Sequence, residues 1–171
     1  MATTKRIASI LNIPVIATTQ NAARLGDTVS EVSNLFSEQK TPVSVIDKTA
    51  FSMLVPEVTP LLSKGVESSA KHSVIITGIE THICVTQTTI DLLRQGHKVY
   101  LLADGVSSCN ELERPIALAR LAREGAVVTT SESILFELLG DAKHPDFRAI
   151  SGLVKDTKEK TKGAVASLGK L

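Results

Sequence analysis

Five short runs of β-branched and apolar residues, each alternating with a stretch of helical apolar spacing, set the narrowest limit on how this chain can fold. The runs are Pro14–Gln20, Val43–Lys48, Ser73–Ile79, His97–Asp104 and Gly125–Ser131. Helical patterns cover Thr3–Leu11, Met53–Ser69, Thr81–Gln95, Glu111–Glu124 and Ser131–Leu139. Strands alternating with helices of this length require crossover connections. The spacing therefore predicts a three-layer, Rossmann-like α/β/α fold around a mostly parallel sheet. Ser73–Ile79 is β-branched and apolar, as a strand buried on both faces should be.

Composition narrows the class further. The 171 residues suffice for one domain with a real core. Only 3% are aromatic and none is Trp, so the core must be Val, Ile, Leu and Ala, which favours α/β layers over an aromatic-anchored sandwich. A net charge of +1 gives no drive toward nucleic acid or an anionic membrane as main partner. No apolar run approaches a spanning length, and the N-terminal apolar stretch is too short for a secretory signal. Two cysteines, Cys84 and Cys109, do not make a disulfide scaffold. A reducing compartment follows, the cytoplasm first, with mitochondria also compatible. We expect one domain over residues 1–154. After Leu153 the chain turns to Lys155-Asp-Thr-Lys-Glu-Lys-Thr-Lys162, so residues 155–171 read as a frayed polar tail. Asn21–Thr41 is polar and reads as a long loop with one helical turn, lying where ligands bind in open sheets.

Carboxyl ends of parallel strands collect functional groups, and Gln20, Lys48, Cys84 and Asp104 fall at such ends. Cys84 sits where a strand hands over to a helix. Unpaired N–H groups and the positive end of the helix dipole there favour the thiolate, the nucleophilic form. A buried structural cysteine is the alternative. A lysine beside such a thiol would favour the thiolate by Coulomb attraction, which singles out Lys48. Asp104 precedes Gly105 and reads as turn chemistry. Cys109 lies in the Ser107-Ser-Cys-Asn loop with no evident role. His72, His82, His97 and His144 lack metal-ligand spacing, so no metal is expected. No phosphate-cradling glycine loop is present, and no cofactor is expected.

The motif Gly78-Ile-Glu-Thr-His-Ile-Cys84 after a buried strand resembles the nucleophile motif of the isochorismatase-like cysteine hydrolases. Lys48-Thr-Ala-Phe-Ser52 resembles the lysine motif of that family. Asp104-Gly-Val-Ser-Ser108 and Thr129-Thr-Ser-Glu-Ser-Ile134 resemble its later strand ends. Leu139-Gly-Asp-Ala-Lys-His-Pro-Asp-Phe147 is similar to a stretch of the eukaryotic isochorismatase domain-containing proteins. The resemblance spans about Ile7 to Val154. It implies a six-stranded parallel sheet and a Cys–Lys–Asp triad. Cys84 matches the nucleophile and Lys48 the lysine. The resemblance also implies a cis peptide between Ile79 and Glu80, with the backbone N–H groups of Glu80 and Cys84 forming an oxyanion hole. Gln20 and Phe51 are the expected substrate contacts.

One part of the pattern has no counterpart. The family's Asp ends a first strand that would precede the helix opening this chain, and no Asp here matches it. That strand is expected inside the sheet, between the strands at Pro14 and Ser73. A shortened form of a longer protein, a different sheet closure, or a partner chain filling the gap would each account for this. The implied activity is attack of the Cys84 thiolate on an amide or related carbonyl of a small molecule, weakened by loss of the Asp, in a homo-oligomer. The alternative is a non-catalytic binding or regulatory relative. A redox-sensing thiol with Cys109 as resolving partner is a third reading.

Overall fold

The computed structural model describes residues 7–37, 43–62 and 70–168. Five parallel strands appear at the expected places: β1 (Ile16–Gln20), β2 (Ser44–Lys48), β3 (Ser73–Gly78), β4 (Lys98–Val106) and β5 (Val127–Thr129). They fall into two sheets, β1–β2 and β3–β4–β5. In the first, Gln20 lies opposite Lys48. In the second, Ser73 pairs with Lys98 and Tyr100 with Val127, and the β3–β4 register shifts between Ile76 and Gly78. Among the described residues β1 pairs only with β2, and β3 only with β4. The division falls where the resemblance puts a further strand.

Alternation along β4 builds the three layers. Val99 and Leu101 pack with Leu92 of α4 (Thr86–Arg94) and with Leu118 and Leu121 of α5 (Glu113–Arg123). Tyr100 and Leu102 point the other way, against Ile134 of α6 (Ser131–Leu139). This is the period-2 pattern of a strand covered on both faces. Thr130 caps α6, its hydroxyl accepting from the Ser133 amide at 3.3 Å, and Gly140 ends the helix at φ 67°.

Three expectations need correction. The Asn21–Thr41 loop contains two helices, α1 (Ala22–Leu25) and α2 (Ser30–Ser37), with residues 38–41 outside the described ones. Val29, Val32, Leu35 and Phe36 carry a helical spacing that buries Leu35, and Glu31 sits favourably in the first turn. The helix expected over Met53–Ser69 is reduced, among the described residues, to α3 (Thr59–Leu62); residues 63–69 lie outside them. Pro56 disfavours helical geometry at Val55 and has no N–H to donate, whereas Pro60 is tolerated in a first turn. The segment expected to fray over residues 155–171 is helical as far as it is described: α7 (Phe147–Leu168) runs through it, and residues 169–171 lie outside the described ones. Ile150 is fully buried with Ile7, Leu135 and Leu139, while Leu153 and Val154 pack on the same cluster. Beyond them Thr157, Thr161 and Ala164 continue the half-buried stripe at helical spacing. Lysine and glutamate are good helix formers, so a packed first half is enough to propagate the rest. Of the helix expected over Thr3–Leu11, residues 7–10 are helical and residues 3–6 lie outside the described ones.

Candidate active site

Lys48 is the last residue of β2 and is only 7% exposed. Its ammonium donates to Gln20 Oε1 at 2.7 Å, to the Ala50 carbonyl at 2.9 Å and to the Phe51 carbonyl at 3.1 Å. All three N–H groups are therefore committed to neutral acceptors. Gln20 uses its other end to donate to the Thr49 carbonyl at 2.6 Å. Burial pushes the Lys48 ammonium below its ordinary value, while the charges of Cys84 and then Asp47 act in the opposite direction. Lys48 and Cys84 are thus within electrostatic reach of each other.

Asp47 faces a different set of groups. Its Oδ1 accepts from the Thr19 hydroxyl at 2.8 Å and from the Ala22 amide at 3.0 Å. The Ala22 amide, then the Thr19 hydroxyl, holds this carboxyl below the usual carboxylate range. A cleft of about 280 Å³ opens over the end of β2, lined by Asp47, Lys48 and the following loop to Glu57. Cys84 does not line it. Phe51 is 51% exposed beside Lys48.

Cys84 lies past the end of β3. The chain leaves Gly78 at φ 141°, passes a cis Ile79–Glu80 peptide and enters a π-helical turn, Thr81–Val85, that runs into α4. The cysteine was expected in a first α-helical turn, so the wider turn is a departure. Val85 N–H closes it on the Glu80 carbonyl at 3.1 Å. π-turns inside helices are frequent at functional sites. Cys84 is partly exposed and Cys109 exposed, both as free thiols. The Glu80 N–H donates to no carbonyl among the described residues. Its side chain does have a partner: Glu80 Oε2 accepts from the Cys109 amide at 2.7 Å.

Several residues that the sequence did not flag hold this turn. Thr81 is fully buried, and its amide and hydroxyl both donate to the Ser107 carbonyl, at 2.9 and 2.8 Å. Ser108 Oγ meets His82 Nδ1 at 3.0 Å and accepts from the Thr81 amide at 3.1 Å. Thr88 donates to the Cys84 carbonyl at 2.6 Å and accepts from the Met53 amide at 2.9 Å, joining the cysteine turn to the loop after Lys48. These bonds carry no periodicity in sequence, so only the fold reveals them. Among the described residues no group of three or more His, Cys, Asp or Glu side chains is arranged to hold a metal ion. No described helix is long and apolar enough to cross a membrane.

A parallel sheet covered by helices on both faces defines a layered α/β protein. The isochorismatase domain family matches residues 2–133, and the chain belongs to that family. It is 46% identical over 149 residues to the secreted isochorismatase effector Isc1 of Phytophthora sojae, covering 87% of this chain and 70% of that one. It is 43% identical over 148 residues to isochorismatase domain-containing protein 1 of Salmo salar, covering 86% of this chain. The chain spans only 50% of the salmon protein's length. The structure is similar to that of the MAR1 ribonuclease from Caenorhabditis elegans, with TM-score 0.78 and 38% identity, covering 90% of this chain and 77% of that one.

Proposed function

We propose that this protein is a cysteine hydrolase acting on an amide or related carbonyl of a small molecule, with Cys84 as nucleophile. The observation that carries the reading is a buried lysine ammonium within electrostatic reach of a cysteine at a strand-to-helix turn. The Cys84 thiolate attacks the carbonyl carbon and displaces the C=O π pair onto oxygen; as the C=O re-forms, the C–N bond breaks and its pair leaves with the nitrogen. The amine leaves with a proton, a thioester remains on Cys84, and water hydrolyses it to the acid. The Glu80 and Cys84 amides are assigned to the oxyanion, and Lys48 supplies positive charge. No Asp of this chain is assigned to take the thiol proton or to activate water. Removing one member of a catalytic triad commonly costs a few orders of magnitude in rate, so residues 1–171 by themselves should turn over slowly.

We favour a small molecule over RNA as substrate because a net charge of +1 offers little attraction to a phosphate backbone. We also propose a cytoplasmic homo-oligomer. Leu112, just before α5, and Ile116 on it are four residues apart and 62% and 66% exposed, which supports a contact with another copy. A non-catalytic binding role is the second reading, favoured by the division between β1 and β3. One experiment separates the two. A panel of small amides is assayed with the native chain, with Cys84→Ser, and with a version carrying an added N-terminal strand that ends in Asp. The hydrolase reading expects weak Cys84-dependent turnover that rises at least tenfold with the added strand. No turnover by either the native or the extended chain supports the binding role.

A further inference from the structure

We infer that Gln20 is a positioning residue that holds the Lys48 ammonium with a neutral amide, so that the lysine's charge remains uncancelled for Cys84. The inference rests on the pairing of Lys48 and Cys84 proposed above. Gln20 lies directly opposite Lys48 in the β1–β2 ladder, and its side chain contacts the lysine system at both ends. Oε1 takes one ammonium proton at 2.7 Å, and Nε2 ties the Thr49 carbonyl at 2.6 Å. The other two acceptors, the Ala50 and Phe51 carbonyls, belong to the loop that Thr49 begins. One amide thus supplies an acceptor directly and steadies the other two.

The chemistry of these partners matters. None of the three acceptors is charged, so hydrogen bonding satisfies the ammonium without neutralising it. The adjacent carboxylate, Asp47, spends its Oδ1 on Thr19 and Ala22. With all three N–H groups engaged, Lys48 has no proton to hand to a thiolate or oxyanion. It acts as a fixed point charge, and its effect depends on where Gln20 keeps it.

The test uses the full chain with Cys109→Ser, so that Cys84 is the single thiol. Lys48 is acylated with a small amine-reactive ester and read by peptide mass spectrometry. Cys84 is alkylated with iodoacetamide across pH. In folded Gln20→Met, Lys48 acylation should rise at least tenfold and the Cys84 alkylation profile should move to higher pH. In Gln20→Glu, Lys48 should stay protected by an ion pair, yet the Cys84 profile should still move to higher pH, because the charge is cancelled. Should the methionine variant fail to fold, Gln20→Asn takes its place, and its shorter side chain should raise Lys48 acylation by a smaller factor. Unchanged Lys48 acylation in the folded variant, or an unmoved Cys84 profile in Gln20→Glu, overturns the inference. Lys48→Met tests the underlying pairing separately: an unmoved Cys84 profile there sinks the pairing itself, while Lys48 acylation in Gln20→Met still reports whether Gln20 holds the lysine.

Discussion

The Asp104 carboxylate, at the carboxyl end of β4, accepts from both the amide and the hydroxyl of Ser131, tying that strand to the first residue of α6. Ser131 is buried, so truncating its partner strands two donors away from water. Asp104→Ala should cost about 1–3 kcal/mol for the unsatisfied pair. Asp104→Asn keeps one acceptor oxygen and should cost less. Urea midpoints of the three proteins check this. Equal midpoints would show that Asp104 serves only the turn at Gly105.

Gly105 is close-packed rather than merely flexible. A Cβ there would meet Thr77 Cγ2 and Leu102 Cβ, each at 3.0 Å. Leu102 is fully buried in the middle of β4, and Thr77 lies on β3 just before the cysteine turn. Gly105→Ala should therefore destabilise by about 1–3 kcal/mol through overpacking. Because the strain falls on β3, Cys84 alkylation in the folded variant should also change rate. Denaturation and labelling on the same sample test both parts.

At the opposite end of the sheet His72 and His97 stack with ring centroids 5.4 Å apart, and the His72 amide donates to His97 Nδ1 at 3.1 Å. Burial, then the neighbouring His72 and Lys71, lower the His97 pKa below its ordinary 6.5. Between the lowered value and 6.5 the unfolded chain binds more protons at this site than the folded one. Stability from His97 is thus fully present above pH 6.5 and is lost as pH falls through the folded value. His97→Asn retains an acceptor near Nδ1 but does not titrate. Its stability should fall less than the native protein's between pH 7.5 and 5, as urea midpoints at the two pH values would show. Parallel losses would contradict the assignment.

What the sequence made legible was whatever a period or a motif encodes. Apolar runs located the five strands of the described residues, and the motifs around Lys48 and Cys84 fall at the ends of β2 and β3. Side chains acting through single hydrogen bonds stayed hidden. Thr81 and Ser108 fall inside the quoted motifs but their bonds to the cysteine turn, like those of Thr88, have no signature there, and Gln20, an expected substrate contact, is engaged with Lys48 and Thr49. The segment past Leu153 reads as a polar tail because its lysines and threonines mask an amphipathic stripe that only the packing of Ile150 makes plain. Pro56 lies inside an apolar run that reads as helical, whereas residues 56–58 form a turn and the helix starts only at Thr59.

The most direct test of the account is acyl transfer to sulfur. The protein is incubated at neutral pH with a small activated ester, quenched in acid and mapped by peptide mass spectrometry. We expect one acyl group, carried by the peptide containing Cys84, formed at least tenfold more slowly in Lys48→Met and absent in Cys84→Ser. Equal acylation of Cys84 and the exposed Cys109, unaffected by loss of Lys48, would contradict it.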